Sequence, residues 1–300
     1  MIYDVDHVTT YDYGTRISFA RCLLHLQPRE EQHQRVLASS LRIDPVPDEQ
    51  TVARDFFGNP ICHVRFAAPH ATLVIHATAR IRVEPIALPE PGATPAWDVV
   101  RSEAALADLG RDSPVHQLFA SRLVPLLPDV TAYASTSFTP GRPVLAGAME
   151  LNRRIHADFT YDPAATDVAT PISAVMRHRR GVCQDFAHLM IAGLRGLGIP
   201  AAYVSGYLRT QPPPGRERLA GADATHAWVA VWCGIRAGWI GLDPTNAIPA
   251  GVDHLVLARG RDYGDVAPVS GVVVASAGHR VSVAVDVRPA GEGPPQALAG

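Results

Sequence analysis

One cysteine of this chain lies where a helix is expected to begin. Gly181 precedes Cys183, and apolar side chains follow at steps of three and four, the spacing of one buried helix face; they are Phe186, Leu189, Met190, Leu194 and Leu197. The first turn of a helix offers free backbone N–H groups and the positive end of its dipole, which favour a negative charge. Because the thiolate is the nucleophilic form of cysteine, the pattern predicts a reactive thiol at Cys183. The alternative is that Cys183 is a small buried residue, as free cysteines commonly are.

Two short strands further along the chain carry a histidine and an aspartate. The first strand contains His226, the second ends in Asp243, and the loop 233–238 between them is short and contains two glycines. These features predict an antiparallel hairpin. If Trp232 pairs with Trp239, Asp243 lies diagonal to His226, about 7–8 Å away across the strands. A shift of two residues would place them directly opposite, and in either register the carboxylate can hold the imidazole.

Cys183, His226 and Asp243 together provide a thiol, a base and an orienting acid, the set required for covalent acyl chemistry. Their order and local sequences resemble the transglutaminase-like superfamily, and within it the bacterial transglutaminase-like proteins. The matching segments of the core are GVCQDFAHL, SGYL, THAW, GLDPTN and GRDYGDVAP. The opening YDVDHVTTYDYG and the later DFFGN resemble the β-rich region that precedes the core in these proteins. The resemblance covers nearly the whole chain up to about residue 289.

The resemblance implies a thiol enzyme that acts on amide bonds of a protein or peptide through a thioester intermediate. Water would resolve the thioester in a cysteine peptidase or amidase, and an amine would resolve it in a protein-glutamine gamma-glutamyltransferase. We expect hydrolysis, with transfer as the first alternative and a non-catalytic binding scaffold as the second. The Cys183 backbone N–H is one expected donor to the oxyanion. Gln184, Tyr161 and Trp228 are candidates for the second donor or for the cleft wall.

Three further residues are expected near the reacting groups. Asp185 and His188 follow Cys183 on its helix, and Asp223 precedes His226 by three positions. Each is a candidate support for the site, and packing is the alternative for each. A metal site built from Cys183, His188 and His226 is a competing hypothesis, but these residues lack the short regular spacing typical of zinc ligands. We therefore expect no metal and no cofactor.

The elements that must position these side chains indicate an α+β fold. Residues 1–90 read as an N-terminal antiparallel β-sandwich, in which the face with His7, Thr9 and Tyr11 is expected to have an interface or structural role rather than to form a site. Residues 91–289 form the papain-like, transglutaminase-like core that the resemblance implies, with the nucleophile at a helix N-terminus packed on an antiparallel sheet. Helices are expected over 95–109, 114–127 and 142–158, and residues 290–300 are expected to form a flexible tail.

Composition limits the classes of partner. The 300 residues carry a formal net charge of −2, which gives no support to a nucleic-acid or anionic-membrane partner. The four cysteines are few and scattered, so they predict neither a disulfide framework nor paired zinc ligands. The N-terminus lacks a basic region followed by an apolar run, and no apolar run approaches the roughly 20 residues of a membrane span. These patterns predict a cytoplasmic thiol enzyme, and they leave its substrate and oligomeric state open.

Overall fold

The structure of the protein is a computed structural model. It describes residues 1–210, 224–274 and 278–291. No helix in these ranges combines the length and the apolar character needed to cross a lipid bilayer. The model has the predicted α+β architecture, in which a β-sandwich lies beside a unit of helices packed on one antiparallel sheet.

The strands and helices are numbered along the chain. The strands are β1 (Ile2–Ile17), β2 (Phe19–Leu24), β3 (Gln34–Asp44), β4 (Glu49–Arg54), β5 (Pro60–Phe66), β6 (His70–Val83), β7 (Thr160–Tyr161), β8 (Arg180–Gly181), β9 (Ala201–Leu208), β10 (Ala224–Trp232), β11 (Trp239–Asp243), β12 (Ile248–Pro249), β13 (His254–Gly260), β14 (Val269–Val274) and β15 (Arg280–Pro289). The helices are α1 (Trp97–Ala105), α2 (Pro128–Ser135), α3 (Val144–Asp158), α4 (Ile172–His178), α5 (Cys183–Gly196) and α6 (Tyr263–Val266), and two short 3₁₀ helices span Pro91–Ala93 and Pro114–Gln117.

The β-sandwich consists of two four-stranded sheets. Their strand orders are β15-β1-β6-β3 and β14-β2-β5-β4, and all the pairings are antiparallel. Side chains alternate between buried and partly exposed along the first half of β1, as a strand with one covered face requires. The space between the sheets is filled by a buried apolar cluster that includes Ile17, Phe66, Leu73 and Ile75.

The sandwich takes its last two strands from the far end of the chain, which corrects the predicted domain boundaries. β14 pairs with β2 and β15 pairs with β1, so residues 269–289 belong with residues 1–90 rather than with the core. Alternation along 281–287 identifies a strand, but it does not identify the sheet that the strand joins. Val285 and Val287 are buried against Tyr3 and Val5, where they complete the sandwich face that meets the core.

The core unit packs helices on one face of a five-stranded sheet with the order β12-β11-β10-β9-β13. The central helix α5 is buried along most of its length and contacts both β9 and β10. Ala227, Val229 and Val231 of β10 face this helix and join the largest apolar cluster. The intervening side chains, including Trp228, pack on the opposite face of the sheet. A strand buried on both faces explains why β10 contains almost no exposed residue.

The helices before α5 differ from the predicted ones, and prolines explain the largest difference. The helix expected over 114–127 is wrong, because a short 3₁₀ turn ends at Gln117 and helix α2 begins only at Pro128. Proline lacks an N–H and restricts the residue before it to extended backbone. Leu127 has φ −111° and ψ 130°, so Pro128 starts a helix rather than continuing one. The predictions for 95–109 and 142–158 are confirmed as the shorter helices α1 and α3.

The sandwich contacts the core along β9 and β13. His7 bonds through Nδ1 to the Tyr207 hydroxyl at 2.8 Å and through Nε2 to the Thr9 hydroxyl at 2.9 Å. This face therefore has the expected interface or structural role: His7 bonds to Tyr207 of the core, and Thr9 holds the His7 ring. β13 is an edge strand of the core sheet, and two side-chain amides of the sandwich, from Gln34 and Asn59, pair with its backbone.

Each of these amides both donates and accepts. Gln34 donates from Nε2 to the Val256 carbonyl and accepts from the Val256 N–H, both at 2.8 Å. Asn59 donates from Nδ2 to the Arg259 carbonyl at 2.7 Å and accepts from the Arg259 N–H at 2.8 Å. The two amides thus replace a neighbouring strand at two points along β13.

Candidate active site

The thiol of Cys183 lies on the first residue of α5, as predicted. Asp185 holds this helix start: its Oδ2 accepts from the Val182 N–H at 2.8 Å and from the Thr166 hydroxyl at 2.7 Å. Gly181 leaves the room that this arrangement needs, since a Cβ there would lie 2.7 Å from Asp185 Oδ2. Cys183 is partly exposed, whereas Cys22, Cys62 and Cys233 are buried.

The hairpin of β10 and β11 delivers the base and the acid in the predicted register. Trp232 pairs with Trp239 and Val229 with Leu242, so Asp243 continues opposite Trp228 and diagonal to His226. His226 donates from Nε2 to Asp243 Oδ2 at 2.8 Å. The Cys183 thiol lies close enough to the same imidazole for its negative charge to raise the pKa of His226. Since Nε2 is held by the carboxylate, Nδ1 is the ring nitrogen left to serve the thiol.

Asp243 is fully buried and receives five hydrogen bonds. Oδ1 accepts from the backbone N–H groups of Thr245 and Asn246, at 2.9 and 3.2 Å. Oδ2 accepts from His226, from the Asn246 side chain at 2.7 Å and from His254 at 3.2 Å. Burial would raise the pKa of Asp243, but these donors outweigh it and hold the pKa far below its usual value. The carboxylate is therefore charged throughout the physiological range.

The charge on Asp243 is felt at His226. Burial of the ring would lower the pKa of His226, but the hydrogen bond to Asp243 and the negative charges of Asp243 and Cys183 raise that pKa to about 9. An imidazolium between a carboxylate and a thiol favours the thiolate. The arrangement can therefore hold a thiolate–imidazolium pair at neutral pH.

His254 is a site residue that the sequence analysis missed. It begins β13, and the chain between Asp243 and β13 folds back over the hairpin, where Ala250 donates its N–H to the Gly241 carbonyl at 2.9 Å and packs with Trp228. The Trp228 ring lies against both histidines, with centroids 6.2 Å from His226 and 5.2 Å from His254. The only signal in the sequence is a histidine at the start of a strand.

The three candidates for the second oxyanion donor differ in position. Tyr161 is 54 % exposed, and its pKa is raised by partial burial and by the negative charge of Cys183. Gln184 turns away and donates to the Val168 carbonyl at 3.3 Å. Trp228 is buried and covers the imidazoles from the side of His254. Tyr161 is thus the candidate with a neutral hydroxyl exposed near the thiol.

The remaining candidates support the fold around the site. Asp185 fixes the start of α5, as described above, and burial raises its pKa. His188 is buried against Tyr203 and accepts from the Tyr263 N–H at 3.1 Å. Burial lowers the pKa of His188 to about 4, so the ring is neutral and joins α5 to α6. Asp223 lies outside the described residues.

The ligand atoms that could hold a metal are not those of the competing hypothesis. Among the described residues, the groups of three or more potential ligands reduce to His226, Asp243 and His254, whose ligand atoms lie within 4.8 Å of one another. Cys183 and His188 do not belong to this cluster. Both imidazoles of this cluster bond to Asp243 Oδ2 through Nε2.

Comparisons with known proteins match both parts of the chain. The family model of the bacterial transglutaminase-like N-terminal region matches residues 3–82, and that of the transglutaminase-like superfamily matches residues 132–244. An uncharacterized protein of Mycobacterium tuberculosis is 39% identical over 295 residues, which cover 96% of this chain and 92% of the relative. A protein-glutamine gamma-glutamyltransferase of Pseudomonas aeruginosa is 34% identical over 128 residues, 40% of this chain and 19% of that protein.

A solved structure extends the match to the whole fold. The crystal structure of a candidate cysteine protease from Cytophaga hutchinsonii superimposes with a TM-score of 0.78 at 22% identity. The superposition covers 98% of this chain and 93% of that one. The β-sandwich and the core therefore occur together, in the same arrangement, in another protein.

Proposed function

Because the chain belongs to the transglutaminase-like superfamily, we propose that it is a thiol enzyme that acts on amide bonds through a thioester. The observation that carries the proposal is the placement of Cys183 at the start of a buried helix, near the His226 imidazole that Asp243 holds by a hydrogen bond. The substrate is a protein or peptide amide, such as a glutamine side chain, and the reaction needs no metal and no cofactor.

The first half-reaction forms the thioester. The Cys183 thiolate attacks the amide carbonyl, and the tetrahedral oxyanion accepts from the backbone N–H of Cys183, which has no partner within the helix. Tyr161 supplies the second hydrogen bond. The His226 imidazolium then gives its Nδ1 proton to the departing amine, while Asp243 keeps the ring oriented and stabilises its charge.

The second half-reaction releases the acyl group. Neutral His226 removes a proton from water through Nδ1, the resulting hydroxide attacks the thioester carbonyl, and the thiolate leaves as the imidazolium re-forms. We favour water as the acceptor, since Cys183 is partly open to solvent and a water-accessible thioester is hydrolysed. Transfer to an amine is the second candidate, favoured by the 34% identity over 128 residues to a protein-glutamine gamma-glutamyltransferase.

The first experiment measures alkylation of Cys183 by iodoacetamide as a function of pH, with mass spectrometry to separate the four cysteines. The other three are internal controls, because burial raises the pKa of Cys22 and of Cys62 and raises that of Cys233 to about 12. We expect Cys183 to react fastest, to remain reactive at pH 6, and to lose that reactivity in His226→Ala. Equal rates at Cys183 and the buried cysteines would contradict the proposal.

The second experiment separates hydrolysis from transfer. Glutaminyl and other peptide amides are incubated with the protein, with and without a labelled primary amine, and ammonia release and amine incorporation are both measured. Hydrolysis releases ammonia or a new amine without the added amine, whereas transfer requires it. Cys183→Ala is the matched control, and undiminished turnover in that variant would disprove the thiol mechanism.

A further inference from the structure

His254 shares the carboxylate of Asp243 with His226. Its Nδ1 accepts from the Gly251 N–H at 3.2 Å, so the ring proton lies on Nε2, which donates to Asp243 Oδ2 at 3.2 Å. The His254 side chain is only 3% exposed. The ring also stands edge-on to Trp228, with centroids 5.2 Å apart and planes at 78°. A backbone donor and a tryptophan thus fix the orientation of this imidazole.

His254 bonds to Oδ2 of Asp243, the oxygen that orients His226. Oδ2 accepts from His226, Asn246 and His254, whereas Oδ1 is held by the backbone of the following turn. The Asn246 side chain lies in that same turn. Apart from His226 itself, His254 is therefore the donor that approaches Oδ2 from another element, and it opposes rotation of the carboxylate away from His226.

The position of His254 depends in turn on the sandwich. His254 is the first residue of β13, and Gln34 pairs with Val256 two residues further on. Gln34 is buried and also donates from Nε2 to the Arg29 carbonyl at 2.9 Å. On its other side β13 pairs with β9, with His254 opposite Leu208. The start of β13 is thus held between its own sheet and the N-terminal unit, in which Gln34 pairs with its backbone and the Tyr3 hydroxyl donates to Asp253 at 2.7 Å.

We propose that His254 is a positioning residue of the thiol site, and that the sandwich fixes it there through Gln34. The inference rests on the proposed function, since it assigns the residue a role in orienting the Cys183, His226 and Asp243 series. It also assigns a task to the sandwich: this unit keeps an edge strand of the core in the place that the orienting acid requires.

The test compares two replacements of His254 with a matched control. His254→Phe keeps the ring that packs on Trp228 and removes the donor, whereas His254→Gln returns an N–H at about the reach of Nε2. His33→Phe is the control, because His33 lines the same cavity of about 530 Å³ between the sandwich and the core as His254 does, and bonds to none of the three reacting residues. The readout is the rate of Cys183 alkylation by iodoacetamide from pH 5 to pH 10.

We expect His254→Phe to lower the alkylation rate at pH 6 on the order of tenfold, the value of one hydrogen bond to a charged group. At pH 10, which lies above the pKa of about 8.5 of a free cysteine, the variant should equal the wild type. His254→Gln should recover most of the rate at pH 6, and His33→Phe should match the wild type throughout. A role in packing alone would not produce a loss confined to low pH and restored by an amide.

A second pair of variants tests the contribution of the sandwich. Gln34→Leu removes both bonds to Val256 at nearly constant volume, and Gln32→Leu changes an exposed neighbour. We expect Gln34→Leu to shift the pH profile in the same direction as His254→Phe, by a smaller factor, and Gln32→Leu to leave it unchanged. If His254→Phe does not fold, His254→Asn takes its place, because its amide is too short to reach Asp243. His254→Asn is then compared with His254→Gln.

The outcomes separate this inference from the proposed function. A wild-type Cys183 without enhanced reactivity would remove the proposed function itself. If the wild type is reactive and His254→Phe has the same pH profile as the wild type, the role of His254 alone is overturned. The same holds if His254→Asn and His254→Gln both have the wild-type profile. A normal profile in Gln34→Leu would overturn the link to the sandwich.

Discussion

Asp243 uses its two oxygens for different tasks. Oδ1 closes the turn that follows β11 by accepting two backbone N–H groups, and Oδ2 serves the imidazoles. Aspartate before such a turn is a common structural device, so the residue would be expected there even without chemistry. The Asp243-Pro244 pair thus marks the turn in the sequence, and it is the hairpin spacing from His226 that makes Asp243 the candidate acid. His254 could not be predicted, since its partner is fixed by how the chain crosses the sheet.

Replacing Asp243 with asparagine should abolish most activity and leave the fold intact. The amide can keep the backbone bonds through its oxygen but then presents N–H₂ to Nε2 of His226. That forces the imidazole proton onto Nδ1. A protonated Nδ1 cannot accept the proton of the thiol. We expect kcat/KM to fall about 10³–10⁴-fold, measured with the best amide substrate. Asp98→Asn, at an exposed helix start, is the control, and a loss below tenfold would contradict the assigned role.

The raised pKa of His226 should also make stability depend on pH. In the wild type the proton on His226 comes from Cys183, so the folded state gains a net proton only where the thiol is removed. In Cys183→Ser, Asp243 still holds the pKa of His226 above the unfolded value of 6.5, and the resulting stabilisation is complete below about pH 6.5 and is lost as the pH rises through the folded pKa. Urea unfolding from pH 6 to pH 9.5 should show this decline in Cys183→Ser. The double variant Cys183→Ser, His226→Gln should show a flatter profile; an equal decline in both would assign it to other groups.

At the scale of elements, the start of α5 depends on how closely Gly181 approaches Asp185. The helix spacing and the glycine before the cysteine were readable from sequence, and both are confirmed. The reason for the glycine was not readable, because it lies in the Asp185 carboxylate that caps the N–H of Val182. For the hairpin the sequence left two registers open, and the structure has the one in which Trp232 pairs with Trp239. The predicted helix at 114–127 is wrong, because Pro125 and Pro128 interrupt the helix that the apolar spacing indicates.

Adding one methyl group at Gly181 tests this contact. In Gly181→Ala the new Cβ would lie 2.7 Å from Asp185 Oδ2 and 2.9 Å from its Cβ, so the cap must shift. We expect a loss of about 1–3 kcal/mol in the free energy of unfolding, together with slower alkylation of Cys183. Gly92→Ala is the control, since nothing lies within 4 Å of a Cβ there. Equal stability of the two variants would show that the cap adapts freely.

At the scale of the whole molecule, the chain leaves the sandwich at β6 and returns to it after the core. The sequence indicated both the β-rich start and the valine-rich strand near the end, yet it could not show that they pair. Pairing between β1 and β15 joins residues that lie between 268 (Asp12 and Arg280) and 286 (Tyr3 and Pro289) positions apart, and strand periodicity carries no information about such partners. The same limit hid the bonds from Gln34 and Asn59 to β13.

Two truncations test the closure of the sandwich. A chain that ends at Pro268 lacks β14 and β15, which cover β2 and β1 and bury Val285 and Val287 against Tyr3. We expect this chain to lose cooperative unfolding, as followed by circular dichroism during heating. A chain that ends at Gly291 retains both strands and should unfold like the full-length protein. Cooperative unfolding of the shorter chain at an unchanged temperature would show that the two strands are dispensable.

The amides of Gln34 and Asn59 occupy the place that a further strand would take beside β13. An edge strand with unpaired N–H and C=O groups is a template for another chain. Without the sandwich, the core would expose the groups of Val256 and Arg259 that these amides now satisfy. An isolated core should therefore associate with itself, edge to edge. The sandwich thus keeps the core sheet at five strands, because two of its side chains bond to the edge strand where a sixth strand would otherwise pair.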